Sequence, residues 1–125
     1  MKSDELTKEN INKLVIIFYT KVLNNEKLGP FFVQKLGDDM NSDIWQEHIK
    51  LLTEFWYTML TGLGNYNGRP FPPHAQIMGL NREAFEKWLE LFFQSVDKVF
   101  DERIANKFKE RSSIIASNFM RNLQL

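Results

Sequence analysis

Apolar residues in this chain recur at three-and-four spacing, block after block, and nowhere alternate with polar ones over the length of a strand. Each block must therefore coil into a helix that hides one face, and the fold class is all-α. The first helix is expected from Thr7 to Asn24, with Thr7 as N-cap and Ile11, Leu14, Val15, Phe18, Tyr19 and Val22 inward. Gly29-Pro30 breaks it, and Phe31, Phe32 and Val33 read as a short apolar turn. A second long helix follows a polar stretch, with Asp43 and Gln46 at capping-box spacing. It carries Ile44, Trp45, Leu51, Leu52, Phe55, Trp56, Met59 and Leu60 and ends at Gly62 and Gly64. A third helix begins near Asn81 and turns Phe85, Trp88, Leu89, Phe92, Val96 and Val99 inward. Asp101 caps a fourth, whose inner face holds Ile104, Phe108, Ile115, Phe119 and Leu123. Four main helices in two pairs, forming one domain over residues 1–125, is the expected architecture.

Between the pairs lies "GNYNGRPFPPHAQIMGL", residues 64–80, which cannot run as a long helix. Compact domains seldom keep an irregular connection of this length unless it has a task. It contains His74, one of only two histidines. Pro72 and Pro73 fix two backbone angles just ahead of it, and Phe71, Ile77, Met78 and Leu80 surround it with apolar side chains. One reading is a solvent-exposed turn residue. The other is a metal ligand, which needs an anchored backbone to set distance and angle.

His48 is the second histidine, one turn after Ile44 and Trp45 and one turn before Leu51 and Leu52. It is either a core histidine satisfied by an internal hydrogen bond, or a ring that faces a ligand cavity. Tyr19 and Trp88 also lie on inward faces, where plain core packing accounts for them equally well.

Composition narrows the chemistry. Eleven Phe, three Trp and three Tyr are rich for a small domain, and they suit either a core or the walls of a flat apolar slot. Basic and acidic residues balance at 16 each, so nothing favours nucleic acid. The absence of cysteine excludes disulfides, thiolate metal ligands and haem attached through cysteines. Two histidines exclude most zinc and non-haem iron arrangements, and no phosphate loop, HExxH or nucleophile elbow is present. Haem needs only one protein ligand on one face and a lined pocket on the other. "MKSDELTKEN" carries acids and no apolar run, and Leu14 to Tyr19 is too short to span a bilayer, so a cytoplasmic protein without a membrane partner is expected.

"IFYTKV", "LGPFF", "WQEH", "EFW", "NYNGRPFPPH" and "FEKWLELFF", in this order and over nearly the whole chain, resemble the truncated haemoglobins, specifically the third group of these short bacterial globins. The absence of any Gly-Gly pair agrees with that group, because other truncated globins mark helix ends with such pairs. The resemblance implies a two-over-two helical sandwich around haem b. It makes His74 the proximal iron ligand, and Tyr19, His48 and Trp88 the polar residues on the distal side. Leu52 becomes the apolar neighbour of bound gas. Phe32, with Phe31 next to it leaving the register open, joins Phe55, Trp56 and Trp88 against the cofactor.

On this reading the ligands are oxygen and other diatomic gases, nitric oxide and carbon monoxide, at a five-coordinate iron. Three distal donors are more than storage needs, which points to redox chemistry of oxygen and nitrogen species rather than bulk transport, with an unidentified reductase as electron source. Whether turnover occurs is open. A monomer is expected. The competing expectation is a cofactor-free helical interaction module in which both histidines are structural.

Overall fold

The computed structural model describes residues 2–64 and 82–122, and His74, Asn81 and Leu123 lie outside them. Helix α1 runs Lys8–Leu23, α2 Gly29–Leu36, α3 Asp43–Thr61, α4 Arg82–Val99 and α5 Glu102–Asn122. The all-α expectation stands: among the described residues there is no strand, and the extended backbone pairs at one isolated bridge, Ser3 with Phe100.

Capping chemistry sets the helix starts. Thr7 accepts the Asn10 N–H at 3.1 Å to open α1, and Asp101 accepts the Ile104 N–H at 3.0 Å to open α5. For α3 the cap is Ser42, not Asp43: its hydroxyl accepts the Trp45 N–H at 3.3 Å. The Gln46 side chain donates instead to the Met40 carbonyl at 2.7 Å, so the expected box with Asp43 does not form.

Phe31, Phe32 and Val33 do not form a turn; they lie inside helix α2, a helix that the four-helix expectation lacked. Pro30 sits in the first turn of this helix, where a missing N–H costs nothing. Gly29 is forced by proximity, because a Cβ there would stand 2.9 Å from the Leu23 carbonyl oxygen at the end of α1. The result is a tight corner that folds α2 back and buries Phe32 completely.

α1 is the central strut, packing on α2, α3 and α4, while α4 packs on α5. Its Ile11, Leu14, Val15, Phe18, Tyr19 and Val22 are all buried, as the spacing requires. On α3 the buried face is narrower than expected and slightly rotated. Trp45, Ile49, Leu52, Phe55 and Trp56 are inside, but Ile44 and Leu51 stand at 59% and 46% exposure. The N-terminal arm closes the far end. Ser3 donates to the Val99 carbonyl and accepts from the Asp101 N–H, both at 2.8 Å, across the joint of α4 and α5.

Candidate functional site

α3 presents His48 at the rim of its buried face. Trp45 and Leu52, three before and four after, are buried; Ile44 and Leu51, four before and three after, are exposed. His48 is accordingly half-buried. Its Nε2 lies 2.9 Å from the hydroxyl oxygen of Tyr19, which α1 delivers from the opposite wall. The two rings meet edge-on, with centroids 5.0 Å apart at 64°.

Burial acts on both groups, fully on Tyr19 and in part on His48. Tyr19 is completely buried, and burial pushes its phenol well above the ordinary value. Burial also lowers the His48 imidazole to about 4. Near neutral pH both are uncharged, so the pair shares a proton as a neutral phenol and a neutral imidazole. Such a pair can donate to a partly negative atom without bringing a charge into the core.

Aromatic rings wall the pair. Tyr19 is flanked by Phe18 at 5.0 Å, Trp45 at 5.2 Å and Phe32 at 5.9 Å. The Phe18 ring then stands edge-on to Trp88 at 5.6 Å. Trp88, 2% exposed, stacks on Phe92 at 5.5 Å and 5°, and Phe92 stacks in turn on Trp56 at 5.2 Å and 20°. Phe55 meets Trp56 edge-on at 5.2 Å. Seven of the eight residues singled out from the sequence are thus described. Tyr19 and His48 touch; Phe32 meets Tyr19 directly and Trp88 joins through Phe18; Phe55 and Trp56 lie in the adjoining aromatic layer. Leu52, 7% exposed, follows His48 by one turn. The eighth, His74, lies outside the described residues.

Among the described residues no three His, Cys, Asp or Glu come together to hold a metal ion. The donor set that is present, two neutral hydrogen-bonding side chains within an apolar aromatic wall, fits the ligand-facing side of a haem rather than a coordination cage.

The chain is 38% identical over 123 residues to the group 3 truncated hemoglobin ctb of Campylobacter jejuni, an alignment covering 98% of this chain and 95% of that protein. This chain belongs to the group 3 truncated haemoglobins. The crystal structure of a group III truncated hemoglobin from Campylobacter jejuni superposes on this truncated haemoglobin with a TM-score of 0.86, at 40% identity, covering 98% of this chain and 95% of the other. No protein-family model matches the chain. No helix among the described residues of this truncated haemoglobin is long and apolar enough to cross a membrane.

One residue of the site escaped the sequence reading as anything but core. Trp45 is fully buried, and its ring stands 5.7 Å from that of His48 at 89° as well as 5.2 Å from that of Tyr19. The signal was available: Trp45 precedes His48 by three, so the two share one side of α3.

Proposed function

We propose that this truncated haemoglobin binds haem b and uses it to bind oxygen, nitric oxide or carbon monoxide. The contact between Tyr19 and His48, 2.9 Å long and set among aromatic rings, carries this reading. His74 would hold the iron from the proximal side, with Phe32, Phe55, Trp56 and Trp88 packing the cofactor and Leu52 as the apolar neighbour of the ligand. Bound haem supplies an iron with one open position for a diatomic gas.

The chain's own residues supply the polarity there. A phenol hydroxyl accepts one hydrogen bond while donating another, so His48 Nε2–H can donate to the Tyr19 oxygen while the Tyr19 O–H donates to the gas. Because burial keeps both groups neutral, this two-step relay presents dipoles and leaves no stranded charge. Trp88 adds an indole N–H from α4. Donors this numerous slow the release of a polarised ligand, which suits reaction with the gas, fed by a reductase, better than its carriage.

An absorption spectrum of the purified protein tests the reading. Haem b gives an intense Soret band that shifts when the reduced protein takes up carbon monoxide. A protein reconstituted with haem that shows no such band and no response to carbon monoxide is the cofactor-free helical module instead.

A further inference from the structure

We infer that Trp45 is a positioning residue for the distal pair: its indole, tied to the Gly37 carbonyl, fixes the rings of Tyr19 and His48 so that hydroxyl and imidazole stay in contact. This rests on the reading of Tyr19 and His48 as the gas-facing pair.

Trp45 is held at both ends. Its backbone N–H is accepted by the Ser42 hydroxyl at 3.3 Å in the first turn of α3, and its Nε1–H donates to the Gly37 carbonyl at 2.8 Å. An indole has two side-chain torsions; the cap fixes the backbone from which it projects, and the hydrogen bond from its Nε1–H restrains the torsions themselves. The ring so fixed is edge-on to Tyr19 at 5.2 Å and to His48 at 5.7 Å, and it makes both contacts at once. Tyr19 thereby packs against Trp45 as well as Phe32, and His48 packs against the same indole. A hydrogen bond between two side chains weakens steeply as its angle opens, so whatever fixes the rings also fixes its strength.

Gly37 aims the carbonyl. It follows α2 with φ of 86° and ψ of 177°, a conformation that side-chain-bearing residues rarely adopt, although a Cβ there would meet nothing within 4 Å. Gly37→Ala therefore disturbs the direction of this carbonyl through the backbone alone and leaves the volume beside Tyr19 unchanged.

The test compares five haem-loaded proteins: wild type, Trp45→Phe, Gly37→Ala, Tyr19→Phe and the double variant Tyr19→Phe/Trp45→Phe. The readouts are the infrared band of the carbon monoxide adduct, the oxygen release rate and the melting temperature. Well-positioned donors give a single narrow infrared band. In Trp45→Phe and Gly37→Ala the band is expected to split or broaden, and oxygen release to quicken roughly three- to tenfold, a fraction of what full loss of a donor brings. In the Tyr19→Phe background, adding Trp45→Phe should change the release rate little further, because the group being positioned is gone. If Tyr19→Phe shifts band and rate while folded Trp45→Phe and Gly37→Ala match wild type in both, the Trp45 role is overturned and the distal pair stands. If Tyr19→Phe itself is silent, the distal reading falls and takes this one with it. Should Trp45→Phe fail to fold, Gly37→Ala decides alone.

Discussion

Tyr19 on α1 and His48 on α3 put a hydroxyl oxygen and an imidazole nitrogen 2.9 Å apart at the seam between the two helices. The seam is dry enough to change the chemistry of both. His48 is held at about 4, against an ordinary value of 6.5, by desolvation.

A pH dependence follows from that depression. The unfolded chain takes up the His48 proton near its ordinary value and the folded chain resists it, so stability is lost as pH falls from about 6.5 towards about 4 and is not regained below. The full loss amounts to about 3 kcal/mol, of which about 2 kcal/mol is felt by about pH 5. In haem-free protein, urea unfolding at about pH 7 and about pH 5 should show a wild-type decrease larger than that of His48→Gln by this amount. His74 is present in both proteins, so the difference between the two decreases belongs to His48. Equal decreases would mean that His48 is not desolvated in the fold.

Cofactor retention should depend on His74. The proposed function makes His74 the proximal iron ligand. His74→Ala is expected to lose most of its haem on gel filtration and to melt near the temperature of the haem-free wild type, since a ligand of the folded state stabilises it only while bound. Full haem content with an unchanged carbon monoxide spectrum would remove His74 from that role.

Trp88 is expected to act both as packing and as donor. Trp88→Phe removes a ring that stacks on Phe92 and abuts Phe18, at a packing cost of about 1–2 kcal/mol. Losing the indole N–H should also speed oxygen release by roughly tenfold. Melting temperature and release rate measured on the same sample separate the two effects; a lower melting temperature with unaltered release makes Trp88 core alone.

The long helices were legible because each buries one unbroken stripe, and spacing reports a stripe directly. α2 was not, because Gly29-Pro30 reads as a breaker when the helix before it is already known. Proline also opens a helix, as Pro30 does in the first turn of α2. The α3 cap lies one residue before the expected Asp43, because Ser42 and Asp43 offer the same acceptor chemistry side by side. Ile44 and Leu51 show where periodicity loses resolution. A residue at the edge of a stripe is assigned by the partner helix, which no single segment encodes. His48 sits between these exposed residues and the buried Trp45 and Leu52, so both of its readings, core and cavity, were drawn from a true rim position. Its partner across the seam, Tyr19, was legible only as an inward residue; spacing within one helix says nothing about what arrives from another.

The central claim is that Tyr19 donates to the bound gas, and stopped-flow release of oxygen and of carbon monoxide from wild type and Tyr19→Phe tests it most directly. A hydrogen bond to a partly charged acceptor contributes about 1.5–3 kcal/mol, so oxygen should leave the variant roughly ten- to a hundredfold faster. Carbon monoxide is far less polar when bound and should leave at nearly the wild-type rate. Oxygen release unchanged in a folded, haem-replete variant, or both gases accelerated alike, would contradict the claim and reduce Tyr19 to packing.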